Sequence, residues 1–475
     1  MNRKTIWICI FSMILLTACG GDSKDKNEET STLSSTEATE TEEMRIADGL
    51  PDDLDYNGQS IRILSYENYI RTEDGEDIVS SAAYRTSLAV QERLNVIYEL
   101  DMRPASDVGN LARQSILAAS DDYDIVTPMA VHGTSLSNEN LLRGISELPY
   151  IDPSKPWWCD NYMSSVALNA NDPSVLLGSF SYNYLERSSV IAFNQRLLNN
   201  NLDMSADELY HTALSGKWTI DYMQSLSKDF WSDLNGNGKV DIGDSFPFTY
   251  NPQENFGRMC YSAGIVFTER DTAGYPVINM NHEETVSLVG KMMSLYQTHG
   301  TANLNTVVDE NAFVEGRALF EICRFYDVGR NMRDMEDNFG FLPYPKYDES
   351  VDGYYSITDS YAMVVCVPIT AQDPAFVSTV LEAMASEGYH AIRPIYYEDA
   401  LKIKYSRDDT ASQIVDLITE NCRTDFLFLN SLDGLGDIFT TLIQKESSDF
   451  ASQYSKMEKK ALKKLQKLIE AYEES

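Results

Sequence analysis

The chain has 475 residues, of which 38 are basic and 73 acidic, and its formal net charge is −35 at neutral pH. A charge of this sign repels phosphate backbones, so we exclude nucleic acid as a partner. Hydrophobic residues make up 43% of the sequence, which is typical of a globular body. Because a chain of this length exceeds what one hydrophobic core usually organises, we expect two domains.

The first residues have the features of a secretion signal. Basic residues at Arg3 and Lys4 precede an apolar run from Ile6 to Leu16, and Thr17-Ala18-Cys19-Gly20 follows. The run is shorter than the ~20 residues that cross a bilayer, and small residues before a cysteine suit cleavage and lipidation. The segment resembles a bacterial lipobox, although an ordinary secretion signal with a chance cysteine is the alternative.

We expect residues 1–18 to be removed as a lipoprotein signal peptide and Cys19 to carry lipid, with palmitate among its acyl chains. Several buried acyl chains hold a protein firmly on a membrane. The predicted location is therefore the extracellular face of the cell membrane. Residues 19–56 are predicted to be the lipidated cysteine and a disordered tether, because Gly21 to about Asp48 has almost no apolar residue to bury.

Five cysteines remain after the lipidated one, and an odd number cannot all pair. Cys323 ends an apolar run, and Cys366 lies within another. We therefore predict small buried side chains rather than a disulfide framework.

The body begins with alternating strand and helix patterns. Ile61–Ser65 predicts a buried strand, apolar residues at helical spacing from Val108 to Ala119 predict a helix, and Tyr123–Val126 predicts a second strand. This order favours a parallel sheet.

The same alternation returns later in the chain. A helical stripe from Val286 to Tyr296 precedes Gly300, which suits a left-handed cap, and Ala318–Ile322 predicts a strand. Two prolines exclude a helix from Phe339–Pro345, which predicts an extended crossing. Tyr361–Val367 predicts a final strand, and the last third is mostly helical in pattern.

Five segments follow one another in a recognisable order, namely Tyr123–Val126, Val190–Asn194, Lys217–Thr219, Phe313–Phe320 and Phe339–Pro345. In this order they resemble the extracellular solute-binding protein family 1, the substrate-binding lipoproteins of ABC transporters that include maltose-binding-protein-like members. The resemblance implies an α/β, two-lobed, periplasmic-binding-protein-like fold of type II. Each lobe is then a mostly parallel sheet flanked by helices, and about three crossings join the lobes, which close over a ligand.

The resemblance also implies the boundaries of the lobes. Lobe 1 is expected at 57–182 plus 346–398, and lobe 2 at 183–345 plus 399–475.

The implied function is ligand capture without catalysis. The protein would bind a sugar or oligosaccharide in the interlobe cleft, act as a monomer, and deliver the ligand to the permease subunits of an ABC importer. A peptide-binding or sensory lipoprotein is one alternative. A lipid-anchored glycoside hydrolase that uses two carboxylates is another, since the sequence offers 73 acidic residues.

Candidate ligand contacts combine aromatic rings with a few polar groups, as carbohydrate clefts require. Carried over by position in the resemblance, they are Tyr66, Glu67, Thr127, His132, Tyr182 and Tyr184 from one wall, and Arg324, Phe325, Tyr326, Tyr355 and Asp359 from the other. We place most weight on Tyr326. For each aromatic the alternative is a core or surface position.

A loop in the second half of the chain resembles the calcium loops of EF-hands and dockerins. Oxygen-bearing side chains occupy its first, third, fifth, ninth and twelfth positions, and a backbone carbonyl is available at the seventh, giving the set Asp233, Asn235, Asn237, Lys239, Asp241 and Asp244. Calcium takes six to eight such oxygens. We predict a structural calcium ion of modest affinity, and the alternative is a pair of Asn-Gly turns that bind nothing.

The last segment carries six lysines between Lys456 and Lys467, alternating with apolar residues in a helical pattern. Such a face either contacts anionic lipid or is simply solvated.

Overall fold

The computed structural model describes residues 45–66, 69–303, 311–396, 409–420 and 422–474. The predicted signal peptide, Cys19, most of the tether and Glu67 lie outside these residues. Within them, no helix combines the length and the apolar character that crossing a membrane requires.

A first sheet consists of three parallel strands, with β1 (Gln59–Ser65) between β2 (Val96–Met102) and β3 (Ile125–Thr127). Two helices, α1 (Ile78–Leu94) and α2 (Ala105–Leu117), connect these strands. The structure confirms the predicted strand, helix and strand here, and the second strand begins at Ile125 rather than two residues earlier.

The remaining strands follow in chain order. They are β4 (Ser189–Asn194), β5 (Phe246–Tyr250), β6 (Thr268–Arg270), β7 (Pro276–Ile278), β8 (Ala302–Asn303), β9 (Ala318–Arg324), β10 (Phe339–Leu342), β11 (Ser356–Ile357) and β12 (Cys422–Arg423). Five of them form a second sheet in the order β10, β4, β9, β5, β8. This sheet is mixed, since β4 pairs antiparallel with both neighbours whereas β5 pairs parallel with β9 and β8.

Helices surround both sheets. They continue as α3 (Ala130–Asn138), α4 (Asp160–Val166), α5 (Asn183–Glu186), α6 (Gln195–Leu202), α7 (Ala206–Leu214), α8 (Ile220–Ser227), α9 (Pro252–Ser262), α10 (Glu283–Tyr296), α11 (Phe325–Asn331), α12 (Pro374–Pro394), α13 (Asp409–Glu420), α14 (Phe426–Leu429), α15 (Ile438–Gln444) and α16 (Phe450–Glu473). A short 3₁₀ helix covers Ile145–Glu147.

Burial explains why the apolar runs became central strands. All six residues of β4 and all five of β5 are buried, as expected for strands covered by helices on both faces.

The predicted helix start at Lys217–Thr219 is also present. The side chain of Thr219 accepts a hydrogen bond from the backbone N–H of Tyr222, which confirms that this segment opens a helix.

Two predicted elements differ from the structure. The predicted strand Tyr361–Val367 forms only isolated bridges. Cys366 pairs with Val126 of β3 and Met363 with Met129, just before α3, while Val365 pairs with Leu176. Alternating partners prevent one continuous ladder. Phe339–Leu342, the first part of the predicted crossing Phe339–Pro345, is an edge strand of the second sheet, and the chain returns to the first sheet only after it.

Three chain segments pass between the two sheets side by side. Ser188, just before β4, bridges Thr358, and the backbone N–H of Asp359 donates to the carbonyl of Arg187 at 3.2 Å. The third segment joins them through the parallel pairing of β11 with β12. The lobe ranges expected from the sequence stay a prediction.

Candidate functional site

An arginine ends the central strand of the second sheet and begins the next helix. Arg324 is the last residue of β9, and its guanidinium donates to both carboxylate oxygens of Asp327 at 2.9 and 3.0 Å. Its Nη1 donates to Asp359 Oδ2 at 2.8 Å. Burial disfavours the charge of Arg324, but the hydrogen bonds and negative charges of these two aspartates raise its pKa above the usual value. The guanidinium is therefore held rigidly and stays charged.

Asp359 is the centre of the cluster. Its buried carboxylate lies 2.8 Å from Arg324 Nη1 and 3.9 Å from the guanidinium nitrogens of both Arg187 and Arg258. Its other oxygen accepts from the backbone N–H of Tyr361 at 2.9 Å. One carboxylate thus serves three arginines from three different segments: the crossing after α5, helix α9 and the end of β9.

Arg258 has a guanidinium nitrogen that no described residue satisfies with a hydrogen bond. Its Nε donates to the carbonyl of Glu254 at 2.7 Å, whereas the buried Nη1 has no hydrogen-bond partner among the described residues. The residue is 4% exposed. Since an unsatisfied buried donor costs roughly 1–3 kcal/mol, a bound oxygen atom at this place would relieve a real penalty.

A cavity of about 180 Å³ opens beside this cluster. Its lining comes from α9, the end of β9, the returning crossing and the C-terminal segment, and includes Arg258, Tyr261, Arg324, Asp359, Tyr361, Phe428 and Asp437. Guanidinium donors, carboxylate acceptors and aromatic rings therefore face one space. This combination suits a ligand with many hydroxyl groups and apolar C–H faces.

Tyr326, the strongest aromatic candidate from the sequence, lies next to this cluster. The guanidinium carbons of Arg187 and Arg330 each lie 4.2 Å from its ring centroid. Cation–π contacts of this kind fix the ring and the two arginines together.

Tyr66 follows strand β1 of the first sheet, and Tyr182 precedes the first crossing. The hydroxyl of Tyr66 donates to the carbonyl of Tyr361 at 2.7 Å, which links it to the cavity lining. Tyr182 stacks on Tyr396 with 5.4 Å between ring centroids and meets Tyr69 edge-on. An aromatic group from three segments thus forms beside the crossing.

Other candidates lie elsewhere. Thr127 and Phe325 are buried: the threonine hydroxyl donates to Ser65 Oγ at 2.7 Å, and Phe325 packs edge-on against Phe341. Tyr184 is also buried, with its hydroxyl 3.5 Å from Ser179 Oγ.

His132 and Tyr355 also lie apart from the arginine cluster. The His132 ring is against Gly109 of α2, and burial together with the charge of Arg113 lowers its pKa. Tyr355 lines a separate cavity of about 640 Å³ and has the guanidinium carbon of Arg423 3.2 Å from its ring centroid.

Sequence reasoning missed Arg187, Arg258 and Tyr361. Arg258 lies on helix α9, and the sequence around it predicts a helix but no site. Its contact with Asp359 depends on the tertiary structure. Arg187 carried a usable signal, because it stands directly before the strand that begins at Ser189 and therefore at a crossing.

The loop predicted to bind calcium has a defined turn conformation. Asp233 accepts from the backbone N–H groups of Gly236 and Gly238, each at 2.6 Å, and both glycines have positive φ angles, 77° and 73°. These hydrogen bonds hold the pKa of Asp233 below its usual value, the bond from Gly238 most of all.

The side-chain oxygens of that loop accept hydrogen bonds from within the loop itself. The Asp241 carboxylate accepts from the side-chain amides of Asn235 and Asn237, while buried Asp244 accepts from the backbone N–H groups of Leu234 and Asp241. In the described part of the chain, no group of three His, Cys, Asp or Glu side chains is arranged to hold a metal ion. Lys239 donates its backbone N–H to Asn237 Oδ1 at 2.8 Å.

No protein-family model matches the sequence, and no curated protein is similar to it. Solved structures are similar in fold. CpMnBP1 with mannotriose bound is 14% identical with a TM-score of 0.51, and the match covers 85% of this chain and all of that one.

A cyclo/maltodextrin-binding protein complexed with maltotetraose is 12% identical with a TM-score of 0.54, over 87% of this chain and 98% of that one. An ABC transporter solute-binding protein from Thermotoga lettingae TMO, bound with α-D-tagatose, is 9% identical with a TM-score of 0.55, over 86% of this chain and its own whole length. At these identities the likeness shows the fold, and the chain has the two-lobed α/β architecture that the sequence predicted.

Proposed function

We propose that this protein captures a sugar or oligosaccharide between its lobes and delivers it, chemically unchanged, to the permease of an ABC importer. The observation that carries the proposal is the cavity at the crossings, where aromatic rings meet Arg258. Its buried Nη1 lies 3.9 Å from Asp359 and has no hydrogen-bond acceptor among the described residues. Three proteins with the same fold hold a saccharide. The fold supplies hinged lobes, and the cavity supplies donors, acceptors and ring faces.

The test is calorimetric titration of the protein with mannotriose, maltotetraose and tagatose, together with short peptides, and chromatography of each incubated mixture. We expect heat of binding with at least one saccharide and no new product. Arg258→Gln should weaken that binding at least tenfold, about 1.4 kcal/mol, because the donor group is lost. Arg85→Gln, at an exposed position of α1, is the matched control.

Two outcomes would reject sugar capture. Binding of peptides alone would make the protein a peptide receptor, and accumulation of a shortened saccharide would make it a hydrolase.

We further propose that Cys19 is lipidated and anchors the protein outside the cell. The supporting observation is the short apolar run that stops at this cysteine. Cells fed an alkyne analogue of palmitate should label the wild type but not Cys19→Ser. Retention of the label in the variant would contradict the proposal.

A structural calcium ion in the loop that starts at Asp233 is also proposed. The donor set fits calcium, since carboxylate, amide and carbonyl oxygens follow one another along a tight loop with glycines at positive φ. Millimolar calcium should raise the melting temperature, and EGTA should reverse the rise. Asp233→Asn should lose most of this response, whereas Asp229→Asn, outside the loop, should keep it.

A further inference from the structure

The C-terminal helix α16 has two faces of opposite character. One face packs against the body through Phe450, Tyr454, Ala461 and Leu465, which are buried. The other carries six exposed lysines, namely Lys456, Lys459, Lys460, Lys463, Lys464 and Lys467.

The spacing of these lysines places them on one stripe. They follow each other in alternating steps of three and one residues, so their side chains lie along one side of a helix with 3.6 residues per turn. The stripe is about 17 Å long at 1.5 Å per residue. Glu458 lies about 200° round the helix from Lys456, and the next acidic residue, Glu470, comes after the stripe.

The positive charge of this lysine stripe is only partly offset by the protein. The charge of Lys464 acts on Glu139 and that of Lys456 acts on Asp449. Among the described residues, none of the six lysines forms a salt bridge with a carboxylate. Arginines elsewhere do: Arg62 pairs with Asp124, Arg113 with Glu139 and Arg196 with Asp337. A chain with a net charge of −35 thus presents one compact basic surface.

We propose that the lysine stripe docks on the anionic lipid headgroups of the membrane to which the chain is anchored. The inference rests on the anchoring part of the proposed function. Charge complementarity selects the partner, because clustered lysines on a helix bind anionic bilayers. The acidic remainder of the molecule does not prevent contact, since charges farther than about 8 Å are screened at physiological ionic strength.

The predicted tether sets how far the body can move from its anchor. Residues 20–44 separate Cys19 from the described body, and an extended chain spans at most ~3.3–3.6 Å per residue. The body can therefore turn α16 toward the bilayer, and docking would fix the orientation in which the cavity meets the permease.

The experiment is co-sedimentation of the chain from Gly20 to Ser475 with vesicles of phosphatidylcholine mixed with phosphatidylglycerol, and with vesicles of phosphatidylcholine alone. Removing residues 1–19 takes away the apolar segment and the lipid, so binding reports the body itself. We expect binding to the anionic vesicles only, and at least a tenfold loss when salt rises well above physiological strength.

A charge-matched pair of variants locates the surface. Substituting glutamine at Lys456, Lys459, Lys460 and Lys463 should abolish vesicle binding without changing the circular dichroism spectrum or saccharide binding. Glutamine at Arg85, Lys217, Lys228 and Arg333, which are exposed elsewhere, changes the net charge equally and should leave vesicle binding intact.

Three results would overturn the inference: no binding to anionic vesicles, equal binding to neutral vesicles, or equal loss in both variants. Stripe variants that keep vesicle binding but lose transport would make the permease the partner instead. Labelling of Cys19 is measured separately, so failure of the anchor and failure of docking are distinguishable.

Discussion

Asp359 illustrates how one side chain decides the character of the site. Its carboxylate meets the guanidinium groups of Arg187, Arg258 and Arg324, and it is almost fully buried. Removing one partner of a buried ion cluster leaves uncompensated charge, which usually costs more than the cluster contributes.

We therefore expect Asp359→Asn to lower the free energy of unfolding by about 3 kcal/mol and to weaken saccharide binding. Urea unfolding at neutral pH measures the first effect. The control is Glu147→Gln, which removes an exposed ion pair with Arg143 and should cost less than about 1 kcal/mol. Similar losses of unfolding free energy in the two variants would show that the buried cluster contributes no more to stability than an exposed ion pair.

A second buried carboxylate gives the first lobe a pH dependence. Glu382 is buried in α12 and accepts from the indole N–H groups of Trp157 and Trp158 at 2.9 and 2.8 Å. Burial raises its pKa to about 7, although both indole hydrogen bonds act in the opposite direction.

Because the folded protein then holds this proton more tightly than the unfolded chain, the contribution of Glu382 to stability falls as pH rises. The fall runs from the ordinary pKa of a glutamate, about 4.3, to the folded value of about 7. Urea unfolding at several pH values should show this negative slope. The Glu382→Gln variant should have a flatter slope, whereas the control Glu92→Gln, on the exposed side of α1, should keep the slope of the wild type. An unchanged slope in Glu382→Gln would show that another group causes the pH dependence.

Packing between elements depends on a close approach at one glycine. Gly388 lies in α12, and a Cβ atom there would overlap the carbonyl of Ser179. In an exposed helix, replacing glycine by alanine stabilises by roughly 0.8–1 kcal/mol. At Gly388 the steric overlap should instead make the substitution by alanine destabilising.

Gly388→Ala is therefore expected to lower the melting temperature, while Gly290→Ala in α10 should raise it. Gly290 is exposed and has open space around its Cα, so only the gain in helix propensity applies. Scanning calorimetry of both variants checks the contrast. A rise in both would mean that α12 can shift away from Ser179.

At the scale of the molecule, the passage of three adjacent segments between the sheets predicts a hinge. The crossings contact one another through few backbone bonds, such as Ser188 with Thr358 and β11 with β12, so they can bend without unfolding either sheet. Ligand that bridges Arg258 and the opposite wall should favour the closed state.

Small-angle scattering should therefore show a smaller radius of gyration when a saccharide that binds is added. Arg258→Gln, at the same ligand concentration, should show a smaller change because less ligand is bound. Identical scattering with and without saturating ligand would contradict closure.

The architecture was largely predictable because it depends on local patterns. Apolar runs of five to seven residues became β1 and β9, and helical stripes became α2 and α10. The predicted strand Tyr361–Val367 failed because neighbours on both sides compete for its backbone groups, which no local pattern records.

The sequence by itself determined the alternation of strands and helices, the excess of acid, the short apolar run before Cys19 and the candidate calcium loop, because each depends on residue type and spacing over short distances. Only the tertiary structure decided which polar groups meet. The carboxylate of Asp359 meets three arginines, Arg187, Arg258 and Arg324, of which the most distant lies 172 positions away in the chain. They come together because the candidate site forms where the crossings pass each other. Spacing along a chain cannot encode a contact that depends on how two sheets are joined.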